Sequence, residues 1–176
     1  MDSAFTESDA TLRDGRIVHV RTMRTQDEAE LLQTFDRMSD DASYMRFMRV
    51  VREPNLERLR KVLGSFPQKG IGLVAIVPAA DGVDIVGSAI AVIGSEPGNC
   101  EFAINVDSMF GGTGLATQLM NTLIDAATKR GLQVMEGFVL AENQSMLRLA
   151  RRLGFTVAPD PDDQAIRVCR LQLSSS

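Results

Sequence analysis

A glycine-rich segment holds the residues whose types and spacing point most directly to chemistry. It lies between a predicted strand and the longest helical pattern of the chain, and it consists of Gly111, Gly112, Thr113, Gly114, Leu115 and Ala116. Successive backbone N–H groups without bulky side chains can surround a phosphate, and the positive end of the helix dipole attracts the anion. Glycine is required where φ is positive or where a Cβ would block the phosphate. The segment therefore predicts a phosphate-binding turn, with a flexible connecting loop as the alternative.

Two common phosphate-binding motifs do not fit this turn. A Walker P-loop would need Lys followed by Ser or Thr, and that pair is missing here. A Rossmann fingerprint would need a third glycine, and it would follow the first strand of a βαβ unit rather than a late strand of the chain. Neither a P-loop nor a dinucleotide-binding fold is therefore predicted.

An acidic residue on the strand before the turn is a candidate general base. Alternation along residues 100–106 places Glu101 on one face with Ala103 and Asn105, and apolar side chains on the other face. A charge in the middle of a sheet is costly without a partner or solvent, and a cleft would supply the solvent. At pH 7 only roughly one alkylamine in a thousand is neutral, so a carboxylate here could accept the proton of an amine nucleophile. The alternative is a structural carboxylate paired with an arginine.

The remaining nucleophilic and metal-ligating residues carry weaker signals. Cys100 faces away from Glu101 by strand alternation, Cys169 falls in a predicted core strand, and His19 is the only histidine. A structural zinc site needs four nitrogen or sulfur ligands, so no metal site is predicted. Cys100 is better explained as a buried small side chain than as an acyl-carrying nucleophile. His19 is assigned a structural or surface role.

The elements that must position these residues alternate between strands and helices. Strands are predicted over residues 17–22, 71–77, 84–93, 100–106, 132–140 and 165–173. Helices are predicted from the capping box at Thr25 to residue 38, over 40–48 and 56–63, from the glycine turn to Gly131, and over 144–153 with Gly154 after it. Pro159 and Pro161 are placed in a loop. The order predicts a mixed α/β (α+β) sheet rather than a doubly wound parallel one.

Composition and charge limit the class of protein. The chain has 176 residues, 44% of them apolar, which suits a single domain, predicted over residues 16–173 after a disordered tail over 1–15. The net charge of −4 argues against a general nucleic-acid binder. No apolar run reaches the roughly 18 residues of a membrane span, and no secretory signal is evident, so a cytoplasmic location is expected.

The glycine turn resembles the motif Q/R-x-x-G-x-G/A of the GNAT acetyltransferase superfamily, with Gly111 standing where the family has Gln or Arg. The segment 137–155 is similar to the family's second cofactor segment, which includes Asn143. The resemblance implies a twisted, mostly antiparallel sheet with helices on both faces, and acetyl-CoA as the acyl donor. The residues it implies for binding, besides the six of the turn, are Ile104, Asn105, Val106, Asn143 and Met146. Asn143 also suits an ordinary helix N-cap, and the two roles are compatible.

Three further segments resemble the acetyltransferase domain of bacterial protein lysine acetyltransferases, which acylate an active-site lysine of acyl-CoA synthetases. They are Arg21-Thr22-Met23 with Asp27-Glu28, residues 43–47 (SYMRF), and Cys100-Glu101-Phe102-Ala103. The resemblance implies that Glu101 is the general base and favours a protein lysine as the acceptor. Because the strand of Glu101 leads directly into the glycine turn, our hypothesis is direct attack of the amine on the thioester in a ternary complex, with the backbone N–H near Val106 donating to the carbonyl oxygen.

Several features of the function stay open at the level of sequence. Many members of the superfamily carry a tyrosine on the last helix where this chain has Ala150, and the only tyrosine is Tyr44, so no general acid is assigned. A small-molecule amine acetyltransferase and a non-catalytic CoA-binding sensor are the alternative functions. The oligomeric state is also undetermined.

Overall fold

The computed structural model describes residues 7–24, 27, 29–30, 60–61, 64–66, 68–80, 82–94, 96 and 98–173. Two of the predicted helices, from Thr25 to residue 38 and over 40–48, fall almost entirely outside these residues, as does Tyr44. Most of the helix predicted over 56–63 does so too. The fold below is that of the described residues.

One sheet of eight strands forms the frame of the molecule. The strands are β1 (Ser8–Thr11), β2 (Ile17–Thr22), β3 (Gly70–Ala79), β4 (Gly82–Ile93), β5 (Asn99–Val106), β6 (Val134–Leu140), β7 (Thr156–Asp160) and β8 (Asp163–Gln172). Their spatial order is β1-β2-β3-β4-β5-β6-β8-β7. Every neighbouring pair is antiparallel except β5 and β6, which are parallel. The predicted mixed, mostly antiparallel sheet is confirmed.

Two of the strands were not predicted. β1 consists of residues 8–11, which were predicted to belong to a disordered tail, and it pairs with β2. The prediction of disorder is therefore wrong for residues 8–11. His19 on β2 helps to hold β1 in place, because its Nδ1 lies 2.8 Å from Asp9 Oδ1 and its Nε2 lies 3.0 Å from Glu7 Oε1. β7 includes Pro159, which was predicted to lie in a loop. β7 is the last strand of the sheet, and an edge strand tolerates a residue without an N–H donor.

Two helices cover one face of the sheet. Helix α1 (Leu115–Lys129) follows the glycine turn and a short 3-10 helix (Ser108–Phe110), and helix α2 (Gln144–Arg152) follows β6. Their buried side chains belong to the same core as Phe102 and Ile104 of β5. Fully burying one leucine stabilises a fold by about 1.5–3 kcal/mol, so this face is a main source of stability. It is the apolar face that the alternation of β5 predicted.

Both helices end at a glycine, as their sequences predicted. Gly131 has φ +92° and Gly154 has φ +102°, a left-handed conformation that costs glycine nothing. The N–H of Leu132 donates to Ala127 O at 3.1 Å, and the N–H of Phe155 donates to Ala150 O at 2.9 Å. These bonds close a Schellman motif at each helix end and satisfy carbonyls that the helix leaves unpaired.

The opposite face of the sheet is also buried. Val74 and Ile90 are at most 2% exposed. The ring of Phe66 lies against Gly70 and Gly72, where a Cβ at Gly70 would collide with it. The prediction of helices on this second face depends on residues 31–59, which lie outside the described residues.

A buried ion pair fixes the end of β2. Arg21 is 4% exposed and Asp27 is 6% exposed, and the guanidinium donates to both carboxylate oxygens, at 2.7 Å and 3.0 Å. The N–H of Arg24 donates to Asp27 Oδ2 at 2.7 Å. Burial by itself would raise the pKa of the Asp27 carboxyl, but the bonds from Arg21 and Arg24 outweigh it and hold that pKa below its ordinary value.

We expect Asp27→Asn to lower the free energy of unfolding by about 3–5 kcal/mol, because Arg21 would keep a buried charge without its counter-ion. Urea denaturation followed by circular dichroism measures the change. The matched control is Asp125→Asn, which removes an exposed i,i+4 pair with Lys129 and should change the free energy by less than about 0.5 kcal/mol.

The same pair predicts how stability depends on pH. Because the pKa of Asp27 is lowered in the folded state, its contribution is complete above the ordinary value of 3.8 and is lost as the pH falls through the lower folded pKa. In strongly acidic buffer, the free energy of unfolding of the wild type should therefore no longer exceed that of Asp27→Asn. Equal stability of the two proteins at pH 7 would contradict the assignment.

Candidate active site

The pairing of the two parallel strands stops part of the way along them. β5 and β6 are paired only from Asn99 to Glu101 on one strand and from Val134 to Glu136 on the other. Beyond these residues β5 pairs only with β4, and β6 pairs only with β8. The carboxyl-terminal halves of β5 and β6 therefore border an opening inside the sheet. Phe102 lies against Gly137 on the helix-covered side, where any larger residue at 137 would collide with its ring.

Backbone groups of β5 point into this opening. The N–H of Asp107 donates to Val86 O of β4 at 2.9 Å. Consecutive N–H groups of a strand point to opposite sides, so the N–H groups of Ile104 and Val106 point away from β4 and toward the opening. An extended ligand with amide groups can pair with such an internal strand edge as an added strand would. Ile104 itself is 7% exposed and belongs to the core with α1, so its contribution to a ligand is limited to the backbone.

Asn105 presents an unsatisfied polar atom on the face that also carries Glu101. It is 8% exposed, and its Oδ1 is buried without a hydrogen-bond partner among the described residues. A buried acceptor without a donor costs about 1–3 kcal/mol, so such an atom calls for an explanation. A donor from a bound molecule would satisfy it.

The glycine turn lies at the carboxyl end of β5, where α1 begins. Gly112 and Gly114 have φ +73° and φ +90°, and a Cβ on Gly112 would have no atom within 4 Å. Gly114 is the N-cap of α1 and supplies no side-chain bond to the helix, so the N–H groups of the first turn that follow Leu115 are open to a ligand. Gly111 and Gly112 are exposed, and Ala116 is half-buried. These are the features of an anion-binding helix start.

Two residues of the turn act through their backbone only. Thr113 is 5% exposed, and its hydroxyl donates to Phe110 O at 2.6 Å and accepts from the N–H of Leu115 at 3.3 Å. The side chain of Leu115 is fully buried in the core beneath α1. Thr113 and Leu115 therefore hold the shape of the turn, and their side chains face away from the solvent side where an anion would bind.

The start of α2 lies at the same edge of the sheet, because the carboxyl ends of parallel neighbours meet there. Asn143 is the N-cap of this helix, and its Oδ1 accepts from the N–H of Met146 at 3.2 Å. The N-cap interpretation is confirmed, and it leaves the side-chain amide N–H₂ free of any bond within the described chain. Met146 is 9% exposed. Their predicted contact with a cofactor stays a prediction.

Glu101 occupies the last paired position before the opening. It lines a pocket of about 170 Å³, whose walls include Val92, Asn99, Glu96 and Glu136. Glu136 is its neighbour across the parallel pair and accepts from Arg170 Nη1 at 2.9 Å. Three glutamates therefore line one small pocket, and Arg170 offsets the charge of only one of them, so the pocket favours a cationic occupant. Glu96 and Glu136 were not predicted as site residues. The pairing of β5 with β6 brings Glu136 to Glu101, and the loop between β4 and β5 brings Glu96 to the same pocket.

The two cysteines are free and buried. Burial raises the pKa of Cys100 to about 12, with a further contribution from the Glu101 carboxylate, and raises the pKa of Cys169 to about 11. Neither thiol is ionised near neutral pH, so neither is suited to carry an acyl group. In the described part of the chain, no three His, Cys, Asp or Glu side chains are placed closely enough to hold a metal ion together. No helix among these residues has the length and apolar character of a membrane span.

The comparison with known families agrees with this geometry. The family described as Acetyltransferase (GNAT) domain matches residues 18–156. The chain therefore belongs to the GNAT acetyltransferase family and is an acyltransferase, and acetyl-CoA is the acyl donor of this family. The resemblance to the GNAT superfamily found in the sequence is confirmed. An extended phosphorylated thioester fits the residues present, since the glycine turn, the free edge of β5 and the start of α2 lie along one edge of the sheet.

Individual relatives share most of the chain. An acetyltransferase of Pseudomonas aeruginosa is 31% identical over 163 residues, which cover 93% of this chain and 88% of the relative. The GNAT domain of S. lividans PAT has a TM-score of 0.75 at 20% identity and covers 95% of this chain and 97% of its own. A structure from Salmonella typhimurium is described as an acetyltransferase with its cofactor acetyl-CoA. It has a TM-score of 0.68 at 20% identity, and the match covers 90% of this chain and 95% of the Salmonella chain.

We expect Gly112→Ala to weaken binding of acetyl-CoA by about tenfold or more, because a Cβ in the open space beside the turn would displace one hydrogen-bonded phosphate contact. The left-handed conformation should also cost about 1 kcal/mol of stability. Gly131→Ala is the matched control, since it has φ +92° and open space around its Cβ but lies at the far end of α1. Calorimetric titration and urea denaturation measure both quantities. Equal losses of affinity in the two variants would contradict a phosphate site at the turn.

Proposed function

We propose that the protein transfers the acetyl group of acetyl-CoA to a primary amine, with a protein lysine as the acceptor and Glu101 as the general base. The observation that carries the proposal is the position of Glu101. It lies at the point where the pairing of β5 with β6 ends, so that its carboxylate lines the acidic pocket beside the opening. A base and a place for an extended thioester thus meet at one position of the sheet.

The reaction follows from the groups that line the site. The acceptor enters as an ammonium, which the carboxylates of Glu96, Glu101 and Glu136 attract. Glu101 accepts one proton from nitrogen, directly or through one water, and the nitrogen lone pair then forms a bond to the acetyl carbon. The N–H of Val106 points into the opening and would donate to the carbonyl oxygen as negative charge develops there. The carbon–sulfur bond breaks, and the thiolate leaves with the electron pair. The second surplus proton on nitrogen passes to that thiolate or to solvent, which leaves the neutral amide.

Direct attack in a ternary complex is favoured over an acyl-enzyme route. A covalent route needs an activated nucleophile near the thioester. Cys100 is 2% exposed, has a strongly raised pKa, and lies on the opposite face of β5 from Glu101. No general acid is needed on chemical grounds, because a thiol with a pKa near 8.5 can leave as a thiolate. Ala150 is fully buried and supplies no proton at the position where many family members carry a tyrosine.

A protein lysine is supported by the acidic pocket and by the similarity to bacterial protein lysine acetyltransferases. A lysine side chain presents a compact ammonium on a flexible stem, which suits a small pocket lined by carboxylates. The GNAT domain of S. lividans PAT shares the fold over 95% of this chain. A small cationic amine would satisfy the same pocket and is the second candidate acceptor.

We expect Glu101→Gln to lower kcat by about 10²–10⁴-fold while the KM for acetyl-CoA stays within about threefold, because the base acts on the acceptor and not on the donor. The measurement is release of CoA thiol at saturating acceptor. The matched control is Glu136→Gln, which neutralises another carboxylate of the pocket, one that already has Arg170 as its partner. It should raise the KM for the acceptor and leave kcat nearly unchanged. A Glu101→Gln enzyme with unchanged turnover would remove Glu101 from this role.

The acceptor is tested with the same assay. An acyl-CoA synthetase that carries its active-site lysine is compared with the same protein in which that lysine is replaced by arginine, and with a panel of small primary amines. Thiol release with the intact synthetase alone, lost in Glu101→Gln, would support the proposal. Release with small amines alone would move the function to the second candidate. Binding of acetyl-CoA without release on any amine would indicate a sensor rather than an enzyme.

A further inference from the structure

The turn between β1 and β2 lies against the glycine turn. The N–H of Arg13 donates to Thr113 O at 3.0 Å. The guanidinium of Arg16 donates to Met109 O at 2.8 Å and lies 3.9 Å from the centre of the Phe110 ring. Three contacts therefore join two segments about a hundred residues apart in sequence. They fix the turn of the β1–β2 hairpin beside the start of α1.

The side chain of Arg13 reaches over Gly114, the N-cap of this helix. Its Nε lies 3.5 Å from the position that a Cβ on Gly114 would take. Arg13 is exposed, and no carboxylate is bonded to its guanidinium within the described residues. The other cation at this turn is engaged, because Arg16 Nη2 is 2.7 Å from Asp14 Oδ2. Asp107 also has a local partner, since its Oδ1 accepts from the N–H of Met109 at 2.8 Å.

The glycine turn itself has no positively charged side chain. Gly111 stands at the position where the superfamily motif has Gln or Arg. The nearby Thr113 hydroxyl is occupied within the turn. The backbone N–H groups of the turn bring only partial charges to a ligand that carries several negative charges. A guanidinium beside them would add a full charge and planar donors that match phosphate oxygens.

We propose that Arg13, held by the β1–β2 hairpin over Gly114, contacts the pyrophosphate of acetyl-CoA and replaces the side chain missing at Gly111. The proposal rests on the use of acetyl-CoA that the proposed function includes. It accounts for an exposed arginine that has no carboxylate partner among the described residues and that the hairpin holds at the start of α1. The hairpin is thereby part of the donor site rather than a peripheral edge of the sheet.

Binding of CoA in the absence of any acceptor tests the proposal by calorimetric titration. Arg13→Ala should weaken binding about tenfold, and Arg13→Lys should recover part of the loss because it keeps the charge but not the planar donors. Arg152→Ala is the control for the loss of one positive charge, since Arg152 is exposed in the last turn of α2. It should bind CoA as wild type does. Affinity of Arg13→Ala within twofold of wild type would overturn the proposal.

Two further arms show which phosphate is contacted and whether the loss is structural. Dephospho-CoA retains the pyrophosphate but lacks the 3′-phosphate, so Arg13→Ala should weaken both ligands by the same factor. A loss confined to CoA would overturn the assignment to the pyrophosphate. Gly111 does not have positive φ, so Arg13→Ala/Gly111→Arg can place an arginine at the motif position and should restore affinity. If affinity is not restored although circular dichroism shows that both variants are folded, Arg13 does not replace the side chain missing at Gly111.

The outcomes also separate this inference from the proposed function. If wild type binds CoA and Arg13→Ala does not, but no amine is acetylated, Arg13 keeps its role and the proposed function fails. If wild type turns over an amine and Arg13→Ala binds CoA normally, the inference about Arg13 alone fails. A wild-type protein that binds no CoA would overturn both.

Discussion

The structure depends on one interruption of backbone pairing, between the parallel strands β5 and β6. Hydrogen-bonded pairing stops after Glu101 and Glu136, and from there each strand keeps only its outer neighbour. An unpaired strand edge inside a sheet is unfavourable unless something covers or pairs with it. Phe102 packed on Gly137 fills the helix side of the opening and leaves backbone groups of β5 available on its edge. The opening is thus built into the sheet and does not depend on a separate loop.

The other parts of the site are placed by this opening. Because β5 and β6 run parallel, their carboxyl ends reach the same edge of the sheet, and α1 and α2 both begin there. The positive ends of two helices are therefore directed toward one region, which suits an anionic ligand. Glu101 lies where the paired and unpaired halves meet, so the base and the ligand groove share a border. Stability comes from elsewhere, from the core beneath α1 and α2 and from the buried Arg21–Asp27 pair.

The sequence predicted those elements whose signals are local. The helix ends at Gly131 and Gly154 were predicted because a left-handed residue after a helix is a property of a few neighbouring residues. The strands β3 and β4 and the alternation of β5 followed from β-branched runs and a two-residue period. β1 and β7 were missed for the opposite reason. The segment SDAT has little strand propensity, and β7 contains Pro159, so both are strands only because a neighbour offers its edge.

By itself, the sequence determined the glycine turn at residues 111–116, the candidate base Glu101, the cap at Asn143 and the membership in the GNAT family, because each is expressed in residues close together in the chain. Only the tertiary structure decided that β5 and β6 are neighbours whose pairing stops early. The same is true of Glu96 and Glu136 sharing a pocket with Glu101, and of Arg13 lying over Gly114. Apart from Glu96 and Glu101, these residues are distant in sequence. Their contacts arise from strand order and packing across the sheet, which no local pattern records.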